Sequence, residues 1–322
     1  MAAARRAPGS GSGGLSVRVL VVALVVQLAL GAGLVVVAIN GFPIIGGGGD
    51  DSHKAAPAGP VPKATADHFD ADRAFALIRL QLSYGQRPAG SPQLRRLAEV
   101  LRRKLPNGRF EAVRGQPGLR NIVGTLPGPG PAIVLGAHYD SEYHPKGFVG
   151  ANDSAAGTAA VVELARDLRR TNGREVRFVL FDGEEEGPGC SNARFAQCAL
   201  RGSRSYVADH RGEVGQMVLL DYIANKGVRL PHEGSSTPEL WAKVRAAAAR
   251  VGVAKVFPPT TQTTIYDDHT PFLRAGIPAV DLIDFSYRYA DGLQDTIDKL
   301  SVDSLDAVGE TVYALVSELR RA

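Results

Sequence analysis

A chain of 322 residues that is 44% hydrophobic and 22% charged can bury one large core, and its length allows one domain of ordinary α/β size or two small ones. The formal charge of +4 is small, and part of it comes from Arg5, Arg6 and Arg18, so a nucleic-acid footprint is not indicated. Two cysteines, Cys190 and Cys198, are too few for a structural zinc knuckle, which needs about four ligands in pairs.

Residues 19–39, "VLVVALVVQLALGAGLVVVAI", are apolar except for Gln27, long enough to cross a hydrocarbon core of about 30 Å at about 1.5 Å per residue. The run reads as a transmembrane signal anchor, since a cleaved signal has an apolar stretch of only about 7 to 15 residues; secretion after cleavage is the alternative. The arginines before it and the lack of a basic cluster close behind it place residues 1–18 in the cytoplasm and the remainder outside, a single-pass protein of the cell membrane. Residues 40–66 mix Gly, Pro and Ala without periodicity and read as a tether. The folded domain is expected over 67–322. In an oxidising compartment Cys190 and Cys198 could close a short loop, stabilising by roughly 2.5 kcal/mol; two free thiols are the alternative. The glycine-rich stretch around them, 187–202, reads as a loop.

Residues 69–105 carry helical spacing interrupted by "SYGQRPAGSP", with Leu94, Leu97, Val100, Leu101 and Leu105 on one stripe. Short apolar runs then alternate with helical stretches: "NIVGTL", "AIVLGA", "VRFVLF", "QMVLLDYI" and "IPAVDLI" against "SAAGTAAVVELARDLRR" and "TPELWAKVRAAAARVG". The alternation predicts an α/β fold, a three-layer α/β/α sandwich around a mixed, mostly parallel sheet.

The central strands end in polar residues: His138 and Asp140 after the second, Asp182, Glu184, Glu185 and Glu186 after the third, Asp221 after the fourth. In open α/β sheets, sites form beyond the carboxyl ends of the strands, so these groups should converge on one crevice. His138 can bind a metal, with Asp140 beside it as a supporting carboxylate; alone, the pair reads equally as a hydrogen-bonded strand end. Asp153, fifteen residues after His138, reads as a helix N-cap or as a metal bridge. An acidic run after a buried strand gathers like charges where burial is costly, and no lysine or arginine follows until Arg194. A divalent cation compensates them most simply. Adjacent glutamates can then divide the work, one binding metal and the other moving protons. Asp221 alone would be a strand-end capping residue.

"GAHYDS", "GANDSAAGTAAVVELAR", "FDGEEEG", "LLDYI" and "DDHTPFLRAGIPAVDLI", in this order, resemble the co-catalytic zinc aminopeptidase family that also contains the animal glutaminyl cyclases. The likeness spans roughly residues 119–300. It implies that His138 and Asp221 hold one zinc, that Asp153 bridges and that Glu185 holds the second. By the same resemblance Glu184 is the general base, and Asp140 supports the site without binding metal. Asp267, Asp268 and His269 match a motif that helps shape and hydrogen-bond the site rather than bind metal; read by themselves, they start a helix with Asp268 or Thr270 as cap and Pro271 in the first turn.

The family usually supplies a histidine to the second zinc shortly before a "QDT"-like segment, and that place is Asp291 here. A carboxylate binds zinc at nearly the distance of imidazole. Asp153, Asp221, Glu185 and Asp291 then carry four charges, balancing two divalent ions, and the oxygen-rich second position is expected to tolerate harder ions such as manganese or magnesium. Otherwise Asp291 is a turn residue beside Gly292, and His269 or His144 takes its place or the second metal is absent. The resemblance implies an aminopeptidase acting on peptide substrates, and the apolar run 19–39 makes it membrane-tethered. A glutaminyl-peptide cyclotransferase is the alternative, weakened because the aromatic residues that the family places near the missing histidine are absent and the one tryptophan, Trp241, lies on a predicted helix. A non-catalytic ectodomain of the same fold is the third reading.

Overall fold

The sheet is built from the runs that sequence periodicity marks, plus one strand that it does not. The structure, a computed structural model, describes residues 59–168, 172–190 and 192–321, all within one compact unit, Pro43–Ala322. The expected membrane span and most of the tether lie outside the described residues. Among the described residues no helix is long and apolar enough to cross a membrane.

Two helices come first. In α1, Ala71–Leu82, the Asp70 carboxylate caps the Arg73 N–H, and Ala74, Leu77 and Ile78 form the buried stripe. In α2, Pro92–Lys104, Ser91 is the cap, Pro92 opens the first turn and Leu94, Leu97, Ala98 and Leu101 face inward. Six strands follow: β1 Arg109–Ala112, β2 Arg120–Leu126, β3 Ala132–His138, β4 Val176–Phe181, β5 Val214–Asp221 and β6 Ala279–Ile283. Their order is β1-β2-β4-β3-β5-β6. β1–β2 and β2–β4 are antiparallel, while β4–β3, β3–β5 and β5–β6 are parallel, giving a mixed sheet. β1, "RFEA", has no apolar alternation to mark it; pairing with β2 makes it a strand.

Successive side chains of each strand enter different cores, as the two-residue pleat requires. Ile133, Leu135, Phe178, Leu180, Val218 and Leu220 join one core with α1, α2, and three further helices: α3 Gly157–Asp167, α5 Pro238–Arg250 and α7 Val302–Leu319. Val134, Val179, Phe181, Met217 and Leu219 join a second core with Tyr206 and Val207 of α4, Arg201–His210, and Phe272 of α6, Thr270–Arg274. With both faces covered, β3 is buried along its whole length, which leaves the loops beyond the strand ends as the place for a site.

The cysteine-bearing stretch differs from a plain loop. Phe195–Cys198 forms a helical turn, and Cys190 is bonded to Cys198.

Candidate metal centre and active site

His138 closes β3, and its imidazole is almost wholly buried. Nε2 lies 3.1 Å from Asp153 Oδ1 and 3.5 Å from Asp221 Oδ1, at the end of β5. Nδ1 lies 3.8 Å from both Asp140 Oδ1 and Glu184 Oε2 and has no hydrogen-bond partner. Donor atoms of His138, Asp153 and Glu185 all fall within 4.8 Å of one another.

Asp153 reaches this point because the chain is not yet helical there. Regular helix begins at Gly157; Asp153 has φ −75° and ψ 111°, and Ser154 has φ 71°. Neither helical segment carries a side-chain cap, so the N-cap reading of Asp153 fails and its carboxylate is left free for the crevice. Gly150 turns the chain into the kink at φ 54°, where a Cβ would stand 2.4 Å from the Asp153 carbonyl oxygen. The strained turn is held from three sides. Asp295 accepts the N–H groups of Asn152 and Asp153 at 3.0 Å and the Tyr287 hydroxyl at 2.6 Å. Asn152 pairs with Asn225 and with the Ala224 N–H. The fully buried Arg87 donates to Gly85 O, Val149 O, Gly150 O and Ser154 Oγ.

The turn after β4 is fixed by Asp140, whose two oxygens accept the Glu184 N–H at 3.2 Å and the Glu185 N–H at 3.3 Å. One carboxylate thus sets both glutamates and also faces the His138 ring. Arg201 adds bonds to Gly183 O and Glu185 O. Asp291 occupies a turn after β6 in the left-handed region, φ 54°, which Asp tolerates better than most residues. Its side chain does not simply face solvent: Oδ1 accepts the Tyr222 hydroxyl at 2.9 Å, and that hydroxyl lies 3.4 Å from Asp153 Oδ2. His144 is exposed, and His269 belongs to a different cluster, with Asp267 and Asp281. His269 is the residue capping α6, rather than Asp268 or Thr270, and the Thr270 hydroxyl accepts the Asp267 N–H.

Crowded acids perturb one another. Burial pulls the His138 imidazole toward neutrality, but the acceptor carboxylates of Asp140, Asp153 and Asp221 around it outweigh that and hold the ring's pKa well above the ordinary value. Burial raises Glu184 well above the usual carboxylate range, against the pull of His138, and raises Glu185 together with the charge of Asp153. Asp221 is pushed up to about 7 by burial, and Asp291 to about 6 by burial and Asp153. Glu142, in the loop after β3, is pushed up to about 9 by burial, Asp291 and Asp153.

These donors fit a divalent cation. Two carboxylates crowd one imidazole nitrogen, whose single position cannot satisfy both without a positive charge between them. The nearby guanidinium groups of Arg87 and Arg201 are engaged largely with peptide carbonyls, and the His, Asp and Glu set suits zinc.

The model of peptidase family M28 matches residues 121–316, more than half of the chain. The chain belongs to peptidase family M28. Glutaminyl-peptide cyclotransferase from Bos taurus is 28% identical over 239 residues, covering 60% of this chain and 65% of the relative. Aminopeptidase YwaD from Bacillus subtilis is 29% identical over 204 residues, covering 58% and 40%. The chain therefore spans less than two thirds of the length of either curated relative. Among solved structures, an Acidobacteriales bacterium glutaminyl cyclase superposes with a TM-score of 0.71 at 27% identity, covering 83% of this chain and 99% of that one.

Three residues that brace this cluster are given no role by the sequence reading: Arg87, Tyr222 and Asp295. Tyr222 directly follows Asp221 and Asp295 sits in the "QDT" segment, so sequence proximity offered a signal for both. Arg87 lies in a Gly- and Pro-rich loop whose composition carries none.

Proposed function

We propose that the chain is a membrane-tethered, metal-dependent aminopeptidase that hydrolyses the N-terminal residue of peptides. The observation that carries this reading is the charge of the crevice: Asp153, Asp221, Glu185 and Asp291 beside one imidazole match two divalent ions and leave Glu184 outside the ligand set. His138 and Asp221 would hold one ion, Glu185 and Asp291 the other, with Asp153 between them; zinc suits the first position, and zinc, manganese or magnesium the second. A cation so held supplies a Lewis acid that polarises a carbonyl and lowers the pKa of a water.

The chain's own residues handle the proton. The Glu184 carboxylate, fixed through its N–H by Asp140, takes the proton from the attacking nucleophile and returns it to the leaving amine. Burial raises its pKa, which strengthens it as the acceptor in the first transfer. Family membership, the similarity to aminopeptidase YwaD and the donor set support this reading. The apolar residues 19–39 serve as the proposed anchor, with the domain on the extracytoplasmic side.

Glutaminyl cyclisation is the second reading, favoured by the matches to a cyclotransferase and a bacterial cyclase. The same proton work would serve it, with the substrate's α-amine as nucleophile and ammonia leaving. Parallel incubation with Leu-peptides and Gln-peptides separates the two. Free amino acid release supports the peptidase; ammonia release from Gln-peptides with chain length unchanged supports the cyclase. Glu184→Gln should abolish turnover while metal content stays the same, and a variant that retains activity would remove Glu184 from its role.

A further inference from the structure

Positive charge is concentrated on one part of the chain. Residues 92–120 hold eight arginines and lysines against two glutamates, a net +6 where the whole chain carries +4, so the remainder is net negative. In α2 the stripe of Leu94, Leu97, Ala98 and Leu101 is buried, and the arginines take the outer face. Arg95 and Arg96 recur seven residues on as Arg102 and Arg103, two helical turns that return to the same side. Arg109, Arg114 and Arg120 continue the charge through β1, the loop after it and the start of β2. Phe110 ties the two parts together, with the Arg120 guanidinium 3.6 Å and the Arg102 guanidinium 5.5 Å from its ring centre.

Both glutamates of the stretch are already engaged. Glu99 pairs with Arg102 at 3.5 Å and Arg120 at 3.2 Å, and Glu111 with Arg109 at 2.7 Å and His210 at 3.0 Å. Arg95, Arg96 and Arg103 are exposed and have no carboxylate partner among the described residues. At Lys104 this face meets an apolar groove of about 560 Å³, lined by Ala76, Leu77 and Leu80 of α1 and by Val162 and Arg166 of α3. Leu80 is 38% exposed, one of three large apolar side chains left so open among the described residues. Glu163, the one acid of the lining, is held by Arg73 Nε at 2.9 and 2.8 Å, so the groove combines apolar walls with the exposed cation of Arg166.

We propose that the outer face of α2 and the groove beside it dock the domain onto an anionic lipid surface, with phosphate headgroups at Arg95, Arg96 and Arg103 and the apolar layer beneath them at Leu80. The proposal rests on the tether read from residues 19–39, which keeps this face within reach of a bilayer. Each basic side chain close to an anionic leaflet adds an attraction that salt screens within about 8 Å, and an exposed apolar side chain among them adds insertion. Nucleic acid is the poorer fit. Phe110, the one aromatic of the stretch, is already engaged by two guanidinium groups and is not free for a base to stack on, and an apolar groove offers a phosphate backbone nothing.

The full chain, reconstituted with phosphatidylcholine vesicles that contain or lack phosphatidylglycerol, tests it. A fluorophore is placed through Ser83→Cys, exposed just beyond α1 and the one free thiol while Cys190 and Cys198 are bonded, and its quenching by spin-labelled lipid is read. Quenching should be stronger with phosphatidylglycerol, and that excess should be lost at high salt and in Arg96→Glu/Arg103→Glu; Leu80→Ser should reduce it. Equal quenching on the two lipids overturns the proposal, as does an excess that survives the double charge reversal. Heparin or DNA binding with no phosphatidylglycerol excess assigns the face to a polyanion and overturns it too. If the double variant loses its native circular dichroism, the wild-type comparison across lipids and salt decides. Flotation with pure phosphatidylcholine reports the tether separately: a chain that stays behind refutes the tether, and phosphatidylglycerol-dependent flotation then decides the docking face.

Discussion

Replacing Tyr222 by Phe removes one oxygen and tests whether Asp291 serves the metal centre. The hydroxyl donates to Asp291 Oδ1 at 2.9 Å and stands 3.4 Å from Asp153 Oδ2. A hydrogen bond to a charged acceptor contributes about 1.5 to 3 kcal/mol, which at about 1.4 kcal/mol per unit corresponds to roughly one to two units of carboxylate pKa. The donor favours the ionised form, so its loss moves Asp291 upward from about 6, to roughly 7 or 8 by this arithmetic. At pH 7 a proton then competes with the cation, and affinity at that position should fall about twofold to tenfold. Competitive zinc titration against a chromophoric chelator between pH 6 and 9 measures it, in the wild type, Tyr222→Phe, Asp291→Ala and the double variant. The loss should shrink toward pH 9 and nearly vanish in the Asp291→Ala background. Equal losses in both backgrounds, or a loss independent of pH, would refute Asp291 as a ligand.

Three further outcomes are expected. Asp182, Asp221 and Asp295 stand at about 7 and Asp291 at about 6, all raised above an ordinary 3.8 chiefly by burial. Folded values above unfolded ones mean that this stability is complete below about pH 4 and lost as pH rises through 6 to 7; melting of chelator-treated protein should fall from pH 5 to 8, and zinc should flatten the curve through Asp221 and Asp291. A melting temperature that rises with pH would contradict it. Arg87→Met strips the donors from Gly85, Val149, Gly150 and Ser154 and should cost about 3 to 5 kcal/mol in urea unfolding; a loss under 1 kcal/mol would show that the clamp is dispensable. Asp140→Asn leaves one buried N–H facing an amide donor, a cost of about 1 to 3 kcal/mol, and turnover measurements should show a fall in kcat larger than any rise in KM.

The five apolar runs and the residues at their ends were legible because burial and catalysis write opposite chemistries side by side: "VRFVLF" can only be inside, and "DGEEEG" directly after it needs a reason to be there. Asp153 was legible as a residue but not as a conformation, since Asn, Asp and Ser before a helix look like caps and the non-helical kink is imposed by Gly150, Asp295 and Arg87 from outside the segment. β1 was hidden because "RFEA" becomes a strand through its neighbour. The same holds for Arg87, three of whose four acceptors lie more than sixty residues away in sequence. Position 291 could be named from the chain, but its link to Asp153 through a tyrosine hydroxyl required the fold.

Arg87 also sets a boundary. The segment matched by the family begins at residue 121 and contains every proposed donor, yet two side chains that brace the kink come from before it: Arg87 on Ser154 and Gln81 on the Ala155 carbonyl. A fragment trimmed to the matched stretch would inherit the inventory of the centre and lose its posture. The smallest piece that can be transplanted, fused or shuffled as a working unit therefore includes α1 and the loop that follows it, and these belong to the candidate centre as much as the strands do.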